Sequence, residues 1–250
     1  MNPKHIENSI VVENLEKRFG HFTAVNKINF TVGRGEIFGL LGANGAGKTT
    51  TLRMLCGLLE PTAGTAFIDG TDVARNPEGV RYKIGYMSQR FSLYEDLTVW
   101  ENFRFYGGVY GLNIQEIKLR FDALARRLNF LEQTSRLTRD LPLGWKQKLA
   151  FMVAGFHKPP VIFLDEPTSG VDPLVRRQFW DLIYESALEG TTLIVTTHYL
   201  DEAMYCDRIA IMAEGSVSAC GAPSDILEQF KARNMQEVFL KISGKEELIS

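Results

Sequence analysis

The chain has 250 residues, of which 45% are apolar, with 30 acidic and 28 basic side chains and a net charge of -2. This length suits one large domain or a core with an inserted subdomain, and the charge balance gives no reason to expect a nucleic-acid partner. The three scattered cysteines have no metal-ligand spacing and fit a reducing compartment. The start, MNPKHIENSI, has no secretory apolar core and no run reaches about 20 apolar residues, so a cytoplasmic location is expected.

The first part of the chain predicts strands followed by a glycine-rich loop and a helix. Short runs that look like strands occur at 9–13 (SIVVE), 28–32 (INFTV) and 36–42 (EIFGLLG). An apolar helix is expected after the glycines, through Met54, Leu55 and Leu58, and a further strand at 65–70. The order strand, glycine loop, helix is typical of phosphate-binding folds.

From residue 98 to 155 the pattern becomes helical. Apolar residues recur at alternating spacings of three and four through Ile114, Ile117, Phe121, Leu124 and Leu128. We therefore predict an inserted helical subdomain at 98–155. Residues 1–97 and 156–221 would form the core, and residues 222–250 a C-terminal extension.

Strands alternate with helices again after residue 160. VIFLD at 161–165 and TLIVTT at 192–197 are separated by a helix that should start at Asp172 and Pro173, a capping residue followed by proline. This alternation predicts a largely parallel sheet. Residues 208–221 predict two strands about a turn, Pro223 and Ser224 a short helix, and EVFLKI at 237–242 a last strand.

GANGAGKT, from Gly42 to Thr49, fits the pattern G-x-x-x-x-G-K-[ST] and lies between an apolar strand and a helix. Its backbone N–H groups and the helix N-terminus can surround phosphates, Lys48 can reach the β and γ phosphates, and the Thr49 hydroxyl can bind Mg²⁺. The residues expected to bind the nucleotide are Gly42, Asn44, Gly45, Ala46, Gly47, Lys48, Thr49 and Thr50.

VIFLDEP supplies the expected second half of a phosphoryl-transfer site. Asp165 ends a buried strand, where it can hold a metal ion, and Glu166 follows, where it can face a water molecule. Taken alone, LDE is more simply a strand end that meets solvent. Its pairing with the phosphate loop favours the functional interpretation.

With these motifs in order, the chain from residue 9 to about 230 resembles the ATP-binding cassette (ABC) ATPases that power membrane transporters. The resemblance implies that Phe19 stacks on adenine and that Gln89, in YMSQ, senses the γ phosphate and its metal ion. It also implies that SGVD, at 169–172, crosses a dimer interface and that His198 contacts the γ phosphate. Each of these residues also has a purely structural interpretation, such as a phenylalanine of the core or a histidine with a structural role.

The family's signature, Leu-Ser-Gly-Gly-Gln, falls where LPLGW stands at 141–145. In the family this segment covers the ATP of the opposite subunit with a hydroxyl, N–H groups and a helix N-terminus. Pro142 offers neither a hydroxyl nor an N–H, and Leu143 adds a side chain at a place of close approach. We expect Gly144 and the helix to retain a weakened contact, with Pro142 near the first helical turn.

The resemblance implies an α/β fold: a P-loop NTPase (RecA-like) core with an antiparallel β subdomain and an inserted α-helical subdomain. It implies hydrolysis of ATP with Mg²⁺ in a homo- or heterodimer, driving export through transmembrane permease subunits that hold the chain at the inner face of the membrane. The segment through Phe91, Leu93 and Tyr94 would form the groove for the permease. Alternatives are a soluble ABC-type ATPase acting on ribosomes or DNA, and a weakly hydrolysing partner of a non-identical cassette.

Overall fold

The computed structural model describes residues 8–89 and 93–244, which contain ten strands and eight α-helices. The strands are β1 Asn8–Phe19, β2 Phe22–Gly33, β3 Ile37–Leu41, β4 Ala63–Ile68, β5 Thr71–Asp72, β6 Ile84–Met87, β7 Val161–Asp165, β8 Thr192–Thr197, β9 Arg208–Ala213 and β10 Ser216–Gly221. The helices are α1 Lys48–Leu55, α2 Pro77–Tyr82, α3 Val99–Val109, α4 Ile114–Arg127, α5 Leu143–Gly155, α6 Pro173–Leu188, α7 Pro223–Gln229 and α8 Met235–Ile242.

Two sheets organise the fold. One has six strands in the order β10-β9-β3-β8-β7-β6, and its strands from β9 to β6 pair in parallel, whereas β10 is antiparallel to β9. The other is antiparallel, in the order β2-β1-β4-β5. This arrangement confirms the predicted α/β class with an antiparallel β subdomain.

The six-stranded sheet is covered on both faces, which explains why its strands are almost continuously apolar. On β3, Phe38 and Leu40 belong to the core shared with the antiparallel sheet and α1. Ile37 and Leu41 belong to a second core on the opposite face, with residues of α5 and α6. Successive side chains of a strand point to opposite faces, so one short run of apolar residues serves both cores.

The helices α3, α4 and α5 lie in the segment where a helical subdomain was predicted. Both α3 and α4 begin with a capping box, formed by Thr98 with Glu101 and by Asn113 with Glu116. The buried side chain of Asn102 donates to the carbonyl oxygen of Tyr94 at 3.0 Å and to the Thr138 hydroxyl at 2.9 Å. These bonds fix α3 to the segments before and after it.

The prediction of a final strand at 237–242 is wrong, because these residues belong to helix α8. Asn234 caps the helix by accepting a 2.9 Å bond from the N–H of Glu237, and the helix buries Met235 and Val238. Alternating apolar residues suggested a strand. The buried residues Met235 and Val238 are instead three positions apart, which is the spacing of one face of a helix. No helix within residues 8–89 and 93–244 has both the length and the apolar character needed to cross a bilayer.

Candidate functional site

The loop between β3 and α1 is built on glycines that no other residue could replace easily. Gly47 has a φ of +103°, and a Cβ there would lie 2.6 Å from the carbonyl oxygen of Ala24. A Cβ at Gly42 would lie 2.5 Å from the carbonyl oxygen of Met212. The loop is therefore pressed against β2 and β9, and its backbone remains available to a ligand on its other side.

Lys48 begins α1 and turns its ammonium group back over this loop. Its Nζ donates to the carbonyl oxygens of Gly42 at 2.8 Å and Ala43 at 3.1 Å, and lies 3.6 Å from Oε1 of Glu166. Burial lowers the pKa of Lys48, and the carboxylates of Glu166 and Asp165 act in the opposite direction. The structure thus places a cation at the mouth of the loop, where phosphate would be expected.

Asp165 ends β7 beside the start of α1. Its Oδ1 accepts hydrogen bonds from the Thr49 hydroxyl at 3.1 Å and the Thr196 hydroxyl at 2.7 Å. Only 1% of the residue is exposed, and this burial raises the pKa of its carboxyl group. A cation bound here would offset the cost of the buried charge. Thr196 was not predicted from the sequence, because its place on β8 beside Asp165 follows only from the strand pairing.

Glu166 adopts an unusual backbone conformation, with a φ of +50°. Its N–H donates to both the hydroxyl and the carbonyl oxygen of Thr196, at 2.9 and 3.2 Å, which holds this conformation in place. Its Oε2 accepts a 3.0 Å bond from Nε2 of Gln89 and lies 3.2 Å from Nδ1 of His198. Residues predicted separately from three motifs therefore meet on one carboxylate.

Phe19 lies at the end of β1, opposite Phe22 at the start of β2. Both rings are exposed, at 50% and 64%, and Nζ of Lys17 lies 5.3 Å from the centre of the Phe19 ring. Phe22 was not among the residues predicted from the sequence to stack on a base. An exposed pair of rings beside the strand that backs the phosphate loop gives two candidates for stacking on a base.

The signature segment starts α5, but Pro142 precedes the helix and does not occupy its first turn. Pro142 has a ψ of 152°, and its carbonyl oxygen accepts the N–H groups of Trp145 and Lys146. The helix begins at Leu143, which is 44% exposed. At Gly144 a Cβ would meet Cγ1 of Val175 at 2.7 Å, so this glycine permits α5 to pack against α6.

The loop at 169–172 contacts the signature helix and then starts α6. Nε2 of Gln147 donates to the carbonyl oxygen of Ser169 at 3.0 Å. Asp172 accepts from the N–H groups of Leu174 and Val175, which confirms the predicted helix start. The loop at 169–172 therefore connects the segment after Glu166 to helices α5 and α6.

The predicted permease groove is described only in part, because Phe91 lies outside the described residues. Leu93 is 7% exposed and belongs to the core, so the prediction that it forms part of an exposed groove is wrong. Tyr94 is 48% exposed and its ring packs edge-on against Phe105, with centroids 4.8 Å apart. Tyr94 and Phe105 therefore form an exposed aromatic pair where the permease groove was predicted.

The residues present fit a nucleoside triphosphate with a divalent cation. The loop offers backbone N–H groups and Lys48, and its glycines leave no Cβ in the way. The hydroxyl of Thr49 and the buried carboxylate of Asp165 are the hard oxygen ligands that Mg²⁺ prefers. Phosphate and metal groups would thus be neighbours, as they must be in a metal–nucleotide complex.

Comparisons with known proteins agree with this geometry. The sequence profile of the ABC transporter family matches residues 25–169. The chain is 48% identical over 223 residues to the probable multidrug ABC transporter ATP-binding protein YbhF of Escherichia coli, covering 89% of this chain and 39% of YbhF. It is 36% identical over 240 residues to the daunorubicin resistance ATP-binding protein DrrA3 of Streptomyces coeruleorubidus, covering 96% and 76%.

A solved structure of an ATP-binding subunit of an ABC transporter superposes with a TM-score of 0.84 at 32% identity, covering 94% of this chain and 99% of that one. The class is therefore a P-loop ATPase fold of the cassette type. The chain belongs to the ABC transporter family and is an ATP-binding cassette. It spans 39% of the length of YbhF, which holds more sequence than the part matched here.

Proposed function

We propose that this cassette hydrolyses ATP with Mg²⁺ and that its cycle drives export through a separate transmembrane partner. The observation that carries the proposal is the convergence of Gln89 and His198 on the carboxylate of Glu166, with Lys48 3.6 Å away. The fold does not require such a cluster of polar side chains at the end of a strand. It supplies a base, a cation and two polar groups at one place, which phosphoryl transfer requires.

Each residue then has a distinct task. The loop from Gly42 to Thr50 binds the phosphates, Lys48 neutralises their charge, and Phe19 or Phe22 stacks on the base. Thr49, Asp165 and Gln89 hold the metal ion, which when bound polarises the phosphate oxygens. Glu166 orients a water molecule and accepts its proton on the carboxylate, and His198 donates a hydrogen bond to the reacting phosphate.

Several observations support a membrane transporter as the setting. The names of YbhF and DrrA3 refer to a multidrug transporter and to daunorubicin resistance, which favours export. Exposed Tyr94 and Phe105 give an aromatic surface for a permease subunit. A second cassette would cover the ATP with its own LPLGW segment, and the assembly would lie at the inner face of the membrane.

A second candidate follows from Pro142. It gives the signature segment no side-chain cap or hydroxyl at the helix start, so this chain would complete the site of its partner only through backbone groups. In that case the chain hydrolyses ATP weakly when it pairs with its own copy, and it works as one member of a pair of non-identical cassettes. Its own hydrolysis would then increase when the other cassette is added.

The test is Mg²⁺-dependent ATP hydrolysis by the purified chain, by Lys48→Ala and by Lys118→Ala. Lys118 is an exposed lysine on α4 and serves as the matched control. We expect Lys48→Ala to lose about 100-fold or more in turnover and Lys118→Ala to match the parent. Equal activity of parent and Lys48→Ala would contradict the assignment.

Purification from native membranes, with identification of the associated chains, tests whether a permease subunit is bound and whether the dimer contains one or two kinds of cassette.

A further inference from the structure

Glu202 is a fully buried carboxylate that none of the roles above uses. It lies in the 3₁₀ turn Leu200–Tyr205 after β8 and is 0% exposed. Its Oε1 accepts a 2.6 Å hydrogen bond from the hydroxyl of Thr168 and lies 3.6 Å from Nε of Arg176. Because a buried carboxylate is costly without partners, this position depends on both of them.

Thr168 connects Glu202 to the catalytic strand end. It lies two residues after Glu166 and is itself only 1% exposed. The next residue, Ser169, accepts the hydrogen bond from Gln147 of α5. A displacement of Thr168 would therefore move the segment between Glu166 and the signature helix.

Arg176 connects Glu202 to His198. The guanidinium group lies 4.1 Å from the centre of the Tyr199 ring, and this ring lies 4.3 Å from the ring of His198. Arg176 also pairs with Asp201 at 3.4 Å. The segment that begins at His198 is thus held from the side of α6.

A connection between the two segments matters because Glu166 and His198 both lie beyond the paired part of their strands. Strand pairing between β7 and β8 ends at Asp165 and Thr196. Beyond that point the N–H of Glu166 still bonds to Thr196, and His198 lies two residues past Thr196. The buried side chains of Thr168 and Glu202, together with Arg176, whose side chain is 20% exposed, link the segments that follow the two strand ends.

We propose that Glu202 is a positioning residue for ATP hydrolysis, which fixes His198 relative to Glu166 through Thr168 and Arg176. The proposal rests on the proposed hydrolytic function. Glu202 acts through its neighbours and touches neither substrate nor metal. Loss of the link should lower the turnover number while leaving nucleotide binding nearly unchanged, because the phosphate loop is not involved.

The experiment compares Thr168→Val, which keeps the volume and removes the hydroxyl, with Thr168→Ser, which keeps the hydroxyl. Thr192→Val is the matched control, because Thr192 is equally buried but lies at the opposite end of β8, where it accepts from the N–H of Gly35. We expect Thr168→Val to lower kcat by about tenfold with an ATP Kd within about threefold of the parent. Thr168→Ser should recover kcat, and Thr192→Val should lose stability without losing kcat.

A second measurement separates positioning from general destabilisation. In a His198→Ala background, Thr168→Val should change the residual kcat by less than about twofold, because the group being positioned is already gone. Full additivity of the two effects, or a parent-like kcat in Thr168→Val, would overturn the proposal while hydrolysis by the parent still stands. If Thr168→Val does not fold, Glu202→Gln is measured in the same two backgrounds with the same expectations. A parent without ATPase activity would instead reject the proposed function.

Discussion

The side-chain amide of Gln89 donates a 3.0 Å hydrogen bond to Oε2 of Glu166, although 77 residues separate them in the chain. The contact arises because β6 and β7 are parallel neighbours and both residues follow the ends of these strands. Gln89 also stands next to the segment proposed to meet the permease. A movement there would reach the carboxylate of Glu166, which is proposed to act in hydrolysis, directly.

The first prediction concerns the buried charge of Asp165. Burial raises its folded pKa above 3.8, so its contribution to stability is full below pH 3.8 and is lost as pH rises through the folded pKa. Asp165→Asn removes this loss and keeps an oxygen for Thr49 and Thr196. The variant should melt above the parent without ligands, by a margin that grows as pH rises above 3.8 through the folded pKa.

The same variant should gain less thermal stability from ATP and Mg²⁺ than the parent, because an amide binds Mg²⁺ more weakly than a carboxylate. Thermal melting with and without the ligands measures both effects. A variant that melts below the parent at neutral pH, or gains equally from Mg²⁺ and ATP, would show that Asp165 has another role.

The second prediction concerns His157, which stacks on Tyr110 with ring centroids 3.5 Å apart. Burial lowers the pKa of His157 from 6.5 to about 4. The unfolded chain therefore takes up a proton before the folded chain does, and stability should fall as pH decreases from 6.5 to about 4. His157→Phe keeps the stacked ring and should lose less stability over that interval. Urea midpoints measured across it check this, and parallel curves would contradict it.

The third prediction concerns the contact between Gly144 and Val175. Gly144→Ala should destabilise the cassette by about 1 to 3 kcal/mol, because the new methyl group would meet Cγ1 of Val175. Val175→Ala should restore much of that stability by making room.

Pro142→Ala should change hydrolysis little, since no side-chain hydrogen bond is lost.

Hydrolysis by the double variant Gly144→Ala, Val175→Ala then separates packing from phosphate contact. Restored stability with restored activity would mean that Gly144 matters only for packing α5 against α6. Restored stability with reduced activity, which is the result we expect, would mean that the backbone at Gly144 also contacts the opposing nucleotide. Gly144→Asp, which introduces a carboxylate at the same place, should be inactive.

Local sequence predicted the parts of the site that lie within one motif. Gly42 to Thr49 had to follow an apolar strand and start a helix, and the structure has this arrangement. The convergence of Gln89, His198 and Glu166 depends on strand order, which local patterns do not contain. The resemblance to a known family supplied Gln89 and His198, whereas Thr196 and Glu202 were missed because their roles depend on which segments are neighbours in the fold.

The errors have physical causes of the same kind. Val238, Leu240 and Ile242 alternate like a strand, but the Asn234 cap and the burial of Val238 select a helix. Leu93 was expected in an exposed groove and yet enters the core beside α3. In both cases a tertiary contact outweighed a short local pattern.

The most direct test of the account is the rate of Mg²⁺-dependent ATP hydrolysis by Glu166→Gln beside the parent, with ATP binding measured on the same samples. The amide preserves the side-chain shape and removes the basic carboxylate. We predict that turnover falls by about 100-fold or more while ATP is still bound, and that an ATP-bound dimer accumulates in size-exclusion chromatography. Turnover close to that of the parent would remove Glu166 from the catalytic role and contradict the account.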